Sequence, residues 1–489
     1  MISALANLKK ICALPFVWLG FLEVFFEAES KKAFLQLNRW RFSRKAKSLI
    51  AVVIIVVFLI SVFAFLSRDY SKSNAISQNR TNSTVTPSPT ASNYGNTTSS
   101  DSKNKSSTNG NPNGVADQFG VIESATTINS SVWMKVASNA WAYYTPGVGV
   151  DPATGLPRAN SNFNAFTDWD LGGYIQAVID AQKLGLIGND SGWSFSSRID
   201  KVLTFLENRP LNSTTNYPFQ FYYSSSGRED TSIVQESTVD LSDTGRLFVA
   251  LNNLIDFNNS LAPRIDNLVL NGRSNYTALL PGVQSDILTS TSIYSYYFDS
   301  GFACFWPNLP SPSRILNNIF AAGNVTTYGD VSLPEAFITG DPLLCSVFEL
   351  NNNSPQLLAL SRQVYLANAA YYNAMGAYAA FSEGNSPYGY IWEWVVLPNG
   401  DTWKITSHNG DYLDEEPIIY NKVAFSFLAL YNTTYARDMI VYLEQTLPYP
   451  TKGYCDGTNY GGGAIVATFN SNSNSLILDA SLYAIQNNR

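Results

Sequence analysis

"FTDWDLGGYIQAVIDAQKLGLI", residues 166–187, is the stretch on which the fold turns. Leu171, Tyr174, Ile175, Val178 and Ala181 recur at helical spacing, and Gly185 supplies a C-terminal stop. The start is unusually polar, with Asp168 and Asp170 on either side of Trp169 and then Gly172 and Gly173. Thr167-x-x-Asp170 has the spacing of a capping box, which alone accounts for the second carboxylate. Two features point further. The glycines leave the first turn bare, so a ligand or another backbone can come close. Trp169 also offers a flat face on which a sugar can stack.

The same periodicity extends along the chain from about residue 119. "SSVWMKVASNAWAYY" places Trp133, Val136, Ala137, Ala140, Trp141 and Tyr144 on a helix. Further helices are expected over residues 196–207, 242–256, 313–322, 356–375, 422–431, 435–445 and 475–486. Apolar positions often cover more than one stripe, so many of these helices should be buried on two sides. One hairpin, "YGYIWEWVVLPNGDTWKIT", turns at Asn399-Gly400. About a dozen helices with one small β-hairpin insertion fit a double ring of helices better than a bundle.

The chain has 489 residues, 45% hydrophobic and 14% charged, with a net charge of −7. That balance argues against nucleic acid as a partner, because little could neutralise a run of phosphates. Of four cysteines, Cys12 precedes an apolar run and Cys304, Cys345 and Cys455 follow it. An odd number beyond the run permits one disulfide and one free thiol in an oxidising compartment. No CxxC or Cys/His spacing occurs and His408 is the only histidine, so no metal and no cofactor is expected.

"SLIAVVIIVVFLISVFAFL", Ser48 to Leu66, is charge-free and long enough to span a bilayer, which takes roughly 20 residues. Arg39, Arg41, Arg44, Lys45 and Lys47 crowd its N-terminal side and assign residues 1–47 to the cytoplasm. The expected partition is a transmembrane helix over 48–67, a disordered stalk over 68–118 and one exterior domain over 119–489. The stalk is rich in Ser, Thr and Asn and has too few apolar groups to offset the entropy of ordering. A shorter apolar stretch over residues 11–26 is broken by Pro15 and Glu23 and leaves the domain outside whether or not it spans. Twelve N-x-S/T sequons fit a glycosylated exterior domain anchored in a lipid bilayer.

Several blocks in order carry a resemblance: "AWAYY…DPATGLP", the opening stretch, "ESTVDLSDTGRLFVALNNL", "FDSGFACFW", "DPLLCSVFEL", "YNKVAFSFLALY" and "NSNSNSLILDASLYA". From about Asn139 onward the domain resembles a bacterial and archaeal domain-of-unknown-function family, itself similar to glucoamylase-like (α/α)6 toroids. The resemblance implies an all-α toroid whose cleft lies where the inner helices begin. By analogy it implies a glycan as partner and glycoside hydrolysis as the reaction.

Glycoside hydrolysis needs one carboxyl held protonated and one ionised. Asp170 and Asp243 fall in the first turns of long apolar helices, where the macrodipole favours an anion, although Asp243 also reads as a cap of its own helix. Glu236 precedes its helix and so escapes that dipole. The assignment is therefore Glu236 as general acid and Asp170 as base or water positioner. Trp169, Asp240, Asp243, Arg246 and Trp392 hold sugar hydroxyls, stack on the sugar or orient the carboxylates. Asp411, Asp414, Glu415 and Glu416 in "DYLDEEPIIY" compete for the second catalytic place, and Glu349 reads equally as a buried structural acid or a cleft member. Trp392 and Trp394 alternate with Glu393, so both rings share one face. Two other functions stay open. One is a non-catalytic glycan-binding or envelope protein. The other is a polysaccharide lyase with His408 or Tyr412 as base.

Overall fold

The computed structural model describes residues 120–189, 192–232, 239–350, 354–386, 389–462 and 465–489. The expected cytoplasmic segment, the membrane span over 48–67, the stalk and Glu236 lie outside the described residues. Among the described residues no helix is long and apolar enough to cross a membrane.

Thirteen α-helices are described. Six are α2 (Asp168–Lys183), α4 (Leu241–Phe257), α7 (Ile293–Phe305), α9 (Gly340–Glu349), α11 (Asn421–Tyr431) and α13 (Ser471–Gln486). They pack on one another in a closed cycle, α2–α4–α7–α9–α11–α13 and back to α2. Their burial explains the missing polar stripe. Every residue of α2 from Asp168 to Ala181 is buried, as is every residue of α13 from Ser471 to Ser481.

The outer helices behave differently. On α3 (Phe195–Asn208) only Arg198, Ile199, Val202, Leu203 and Leu206 are buried, one stripe of an amphipathic helix. α1 (Ser130–Trp141) lies on α13, α3 on α2, and α5 (Ala262–Leu270) against α3, α4 and α7. α6 (Leu280–Thr289) and α8 (Ser313–Ala321) flank α7, α10 (Pro355–Met375) lies on α9 and α12 (Thr434–Thr446) on α11. Six inner helices inside a second layer fit the expected (α/α)6 toroid.

Glycines let the ring close. A Cβ on Gly172 would lie 2.9 Å from the Arg246 carbonyl oxygen, and one on Gly301 only 2.0 Å from that of Gly245. The bare first turn of α2 thus admits the backbone of α4, not a ligand. Thr167 forms the capping box as its spacing predicts. Its hydroxyl accepts from Trp169 N at 3.1 Å and Asp170 accepts from Thr167 N at 3.0 Å. The cap of α4 is Asp240, which accepts from Ser242 N at 2.8 Å, and not Asp243.

The β structure exceeds the single expected hairpin, with four short strands before it, β1 (Ala165–Phe166), β2 (Tyr222–Tyr223), β3 (Asn324–Thr326) and β4 (Ser332–Pro334). Strands β6 (Gly389–Val396) and β7 (Thr402–Thr406) pair with Trp394 opposite Lys404, and Gly400 sits at φ +82° in the turn. They form the centre of a four-stranded antiparallel sheet with β5 (Glu383–Ser386) and β8 (Tyr412–Leu413). A three-stranded sheet and two strand pairs complete the set. Cys304, Cys345 and Cys455 are all free, so among the described residues the permitted disulfide is not formed.

Candidate functional site

The inner helices all begin at one end of the ring, and a cleft of about 1390 Å³ opens there. Its floor comes from first turns: Trp169 and Asp170 on α2, Asp243 on α4, Tyr294 on α7, Lys422 on α11 and Asn472 on α13. One wall is the four-stranded sheet, which contributes Tyr390, Trp392, Trp394 and Tyr412. Phe163 and Phe221, in the segments leading to α2 and α4, stand in the other wall with their rings edge to face at 5.8 Å.

The expected residues divide clearly. Asp170, Trp169, Asp240, Asp243 and Trp392 all line the cleft. Trp394 shares the face of Trp392, while Glu393 points into the body and accepts from Ile418 N at 2.7 Å. Arg246 does not reach the opening. It is fully buried, with its guanidinium 4.7 Å from the Trp169 ring centroid, and donates to Glu349 at 2.9 Å, Asn472 at 2.5 Å and Ser475 at 3.1 Å. It braces the tryptophan from beneath. Glu349 is the buried structural acid of the two readings, paired with Arg246. Asp411, Asp414, Glu415 and Glu416 are not among the lining residues, whereas His408 and Tyr412 are.

The electrostatics depart from the dipole argument. Burial pushes the Asp170 carboxyl up to about 6, against the Thr167 hydrogen bonds and the Arg246 charge that favour its ionised form. Asp243 is held well above the usual range by burial and by Asp240 and Asp170 as like charges, with the Thr167 hydroxyl opposing. Burial thus outweighs the helix dipole at both acids.

One group had no place in the sequence reading. Glu383, at the start of β5, lines the cleft while 6% exposed. Tyr294 donates to it at 2.5 Å and Tyr390 also hydrogen-bonds it. Burial and then Asp341 push its carboxyl up to about 7, opposed by Lys422 and the two tyrosines. The sequence held one signal for it, because Glu383 is the lone acid between Glu349 and Glu393. Lys422, also missed, forms a buried ion pair with Asp341. Burial raises the Asp341 carboxyl, but Lys422 and Arg246 outweigh that and hold it low. Asn472 ties this pair to the Arg246 network by donating to Asp341 at 2.6 Å. Among the described residues no group of three or more His, Cys, Asp or Glu side chains is arranged to hold a metal ion.

No curated protein matches the chain. Solved structures do. A "putative glucoamylase" from Bacteroides fragilis NCTC 9343 is 16% identical with a TM-score of 0.54, covering 75% of this chain and 97% of its own. An endo-β-1,2-glucanase from Chitinophaga pinensis, in complex with sophorotriose and glucose, is 13% identical with a TM-score of 0.53, covering 73% and 93%. An endo-β-1,2-glucanase from Talaromyces funiculosus, in complex with sophorose, is 12% identical with a TM-score of 0.53, covering 75% and 86%. Identities this low establish a shared fold. By its match over residues 135–284 and 325–487, the chain belongs to the family described as "Protein of unknown function (DUF3131)".

Proposed function

We propose that the protein is a glycoside hydrolase or transglycosylase, working by carboxylate acid/base catalysis on a polysaccharide outside the cell. The observation that carries the reading is a pair of carboxyls raised to neighbouring values in one aromatic cleft, Asp170 at about 6 and Glu383 at about 7. Between those values Asp170 is mostly ionised and Glu383 mostly protonated, which is the division of labour that glycoside cleavage requires. Asp170 then activates or positions water, and Glu383 donates its proton to the leaving oxygen. Glu236, four residues before the cleft-lining Asp240, is the other proposed donor. Trp169 and Trp392 offer stacking faces, Asp240 and Asp243 offer hydrogen bonds to hydroxyls, and Arg246 acts by holding Trp169.

The proposed setting rests on sequence. The apolar run over 48–67, with basic residues before it, would anchor the chain with the catalytic domain outside the membrane. Binding of this fold to oligosaccharides in the Chitinophaga pinensis and Talaromyces funiculosus structures supports a glycan partner.

Reducing-end release from a glycan panel by wild type, Asp170→Asn, Glu236→Gln and Glu383→Gln tests the reading. Loss of about 100-fold or more is expected at Asp170 and at whichever glutamate donates the proton. Equal rates in all four proteins, or binding without cleavage, would favour the non-catalytic reading. Products absorbing in the ultraviolet would point to a lyase using His408 or Tyr412.

A further inference from the structure

We propose that the cleft takes an internal stretch of an uncharged glycan chain and cuts within it, in place of trimming chain ends or accepting polyuronates. The proposal rests on the hydrolase reading above and adds the substrate class.

The first argument is the placement of the walls. Phe163 and Phe221 belong to the segments that feed α2 and α4, while Trp392 and Tyr412 belong to the insertion that feeds α11 beside α9. In the cycle α2–α4–α7–α9–α11–α13, α9 lies three places from α2 and α11 three places from α4. The two aromatic walls therefore stand across the ring from each other, with Asp170 and Asp243 under one and Glu383 under the other. A chain lying over the floor meets stacking faces on both sides of the acids. A cleft for terminal residues needs them on one side, with a barrier on the other. The volume agrees, since about 1390 Å³ exceeds the roughly 300–1,000 Å³ of an ordinary small-molecule pocket and accommodates several sugar rings.

The second argument is charge. Four carboxyls line the cleft (Asp170, Asp240, Asp243 and Glu383) and the single lysine there is already paired with the buried Asp341. No arginine lines it among the described residues. A carboxylate on each unit of a glycan would be desolvated over this floor of carboxyls, ionised or protonated, and would find no unpaired lysine or arginine among the described residues to receive it.

The test uses the full-length protein in detergent micelles with linear neutral glucans of several linkages, a mannan, polygalacturonate and alginate. Viscosity and product length are followed by mass spectrometry. The expected result is a steep viscosity fall with mixed oligosaccharides from a neutral polymer, and no cleavage of either polyuronate. Phe163→Ala and Trp392→Ala should each raise KM for the polymer about tenfold more than KM for a trisaccharide, the loss of one stacking contact. Release of single sugars from chain ends, preferential cleavage of a polyuronate, or equal KM changes for long and short substrates would overturn the inference and leave the hydrolase reading standing. Absence of cleavage on every polymer would overturn both.

Discussion

Tyr294→Phe should widen the range of pH over which the protein works. Tyr294 donates to Glu383 at 2.5 Å, and that bond favours the ionised carboxylate. A hydrogen bond to a charged group contributes about 1.5–3 kcal/mol, and one pKa unit corresponds to about 1.4 kcal/mol. Tyr390 and Lys422 remain, so the lower part of the range applies and the Glu383 carboxyl should rise by about one unit, from about 7 to about 8. A group that must be protonated to act loses activity as pH passes its pKa. The alkaline limb of kcat/KM should therefore move up by about one unit, and at pH 8 the protonated fraction should grow roughly fivefold. The phenylalanine keeps the ring contacts to Trp169 and Trp394, whose centroids lie 6.3 and 5.9 Å away. The assay is kcat/KM against pH for both proteins, with a 13C-carboxyl titration of Glu383 reading the same shift without substrate. An alkaline limb that stays near 7 or moves down would remove Glu383 from the donor role.

Two further predictions concern stability. Asp299 is fully buried with neither carboxyl oxygen partnered, and burial followed by the charge of Asp286 raises it to about 9. The folded state therefore holds a proton that the unfolded chain releases near 4, so this group's contribution falls as pH rises from about 4 to about 9. Stability of Asp299→Asn relative to wild type should grow by about 4 kcal/mol between pH 5 and pH 8, read from urea unfolding. A difference constant with pH would refute the assignment. Gly301→Ala, whose Cβ would lie 2.0 Å from the Gly245 carbonyl oxygen, should cost about 1–3 kcal/mol or more by forcing α7 from α4. Gly188→Ala meets nothing within 4 Å and should stay within about 0.5 kcal/mol, so equal effects at the two glycines would sink the close-packing argument.

The fold was legible where periodicity survives. Helices expected over residues 196–207, 356–375 and 422–431 occur as Phe195–Asn208, Pro355–Met375 and Asn421–Tyr431. α7 and α9 were not assigned as helices. α7 buries Ile293, Ser295, Tyr296, Tyr297, Phe298, Asp299, Gly301, Phe302 and Phe305, so no polar face marks its period. The short strands beside the hairpin escaped for a different reason. Two to five residues give too little alternation to separate from loop. Trp392 and Trp394 were assigned to one face because strand period alone fixes that, whichever body the face meets. Arg246 lies in the second turn of α4, and nothing in that local position hints that Glu349, about a hundred residues on, pairs with it in the core.

The acids show why local reasoning about charge goes astray at such a site. From sequence, a carboxylate at a helix N-terminus belongs to a low-pKa class, with about 0.3–1 kcal/mol of stabilisation from the dipole at an exposed end. Five helix starts gathered into one floor change the balance. Each first turn buries its neighbours' side chains, and desolvation shifts reach several pKa units for fully buried groups, far beyond one dipole. Asp170 and Asp243 rise for that reason despite standing at helix starts. Asp341 faces the same burial and goes the other way, because Lys422 and Arg246 lie beside it. What separates an acid suited to proton transfer from one locked as an anion is therefore the cation placed against it. That placement comes from α11 and α4, far from Asp341 in sequence, and only the closed ring brings it about.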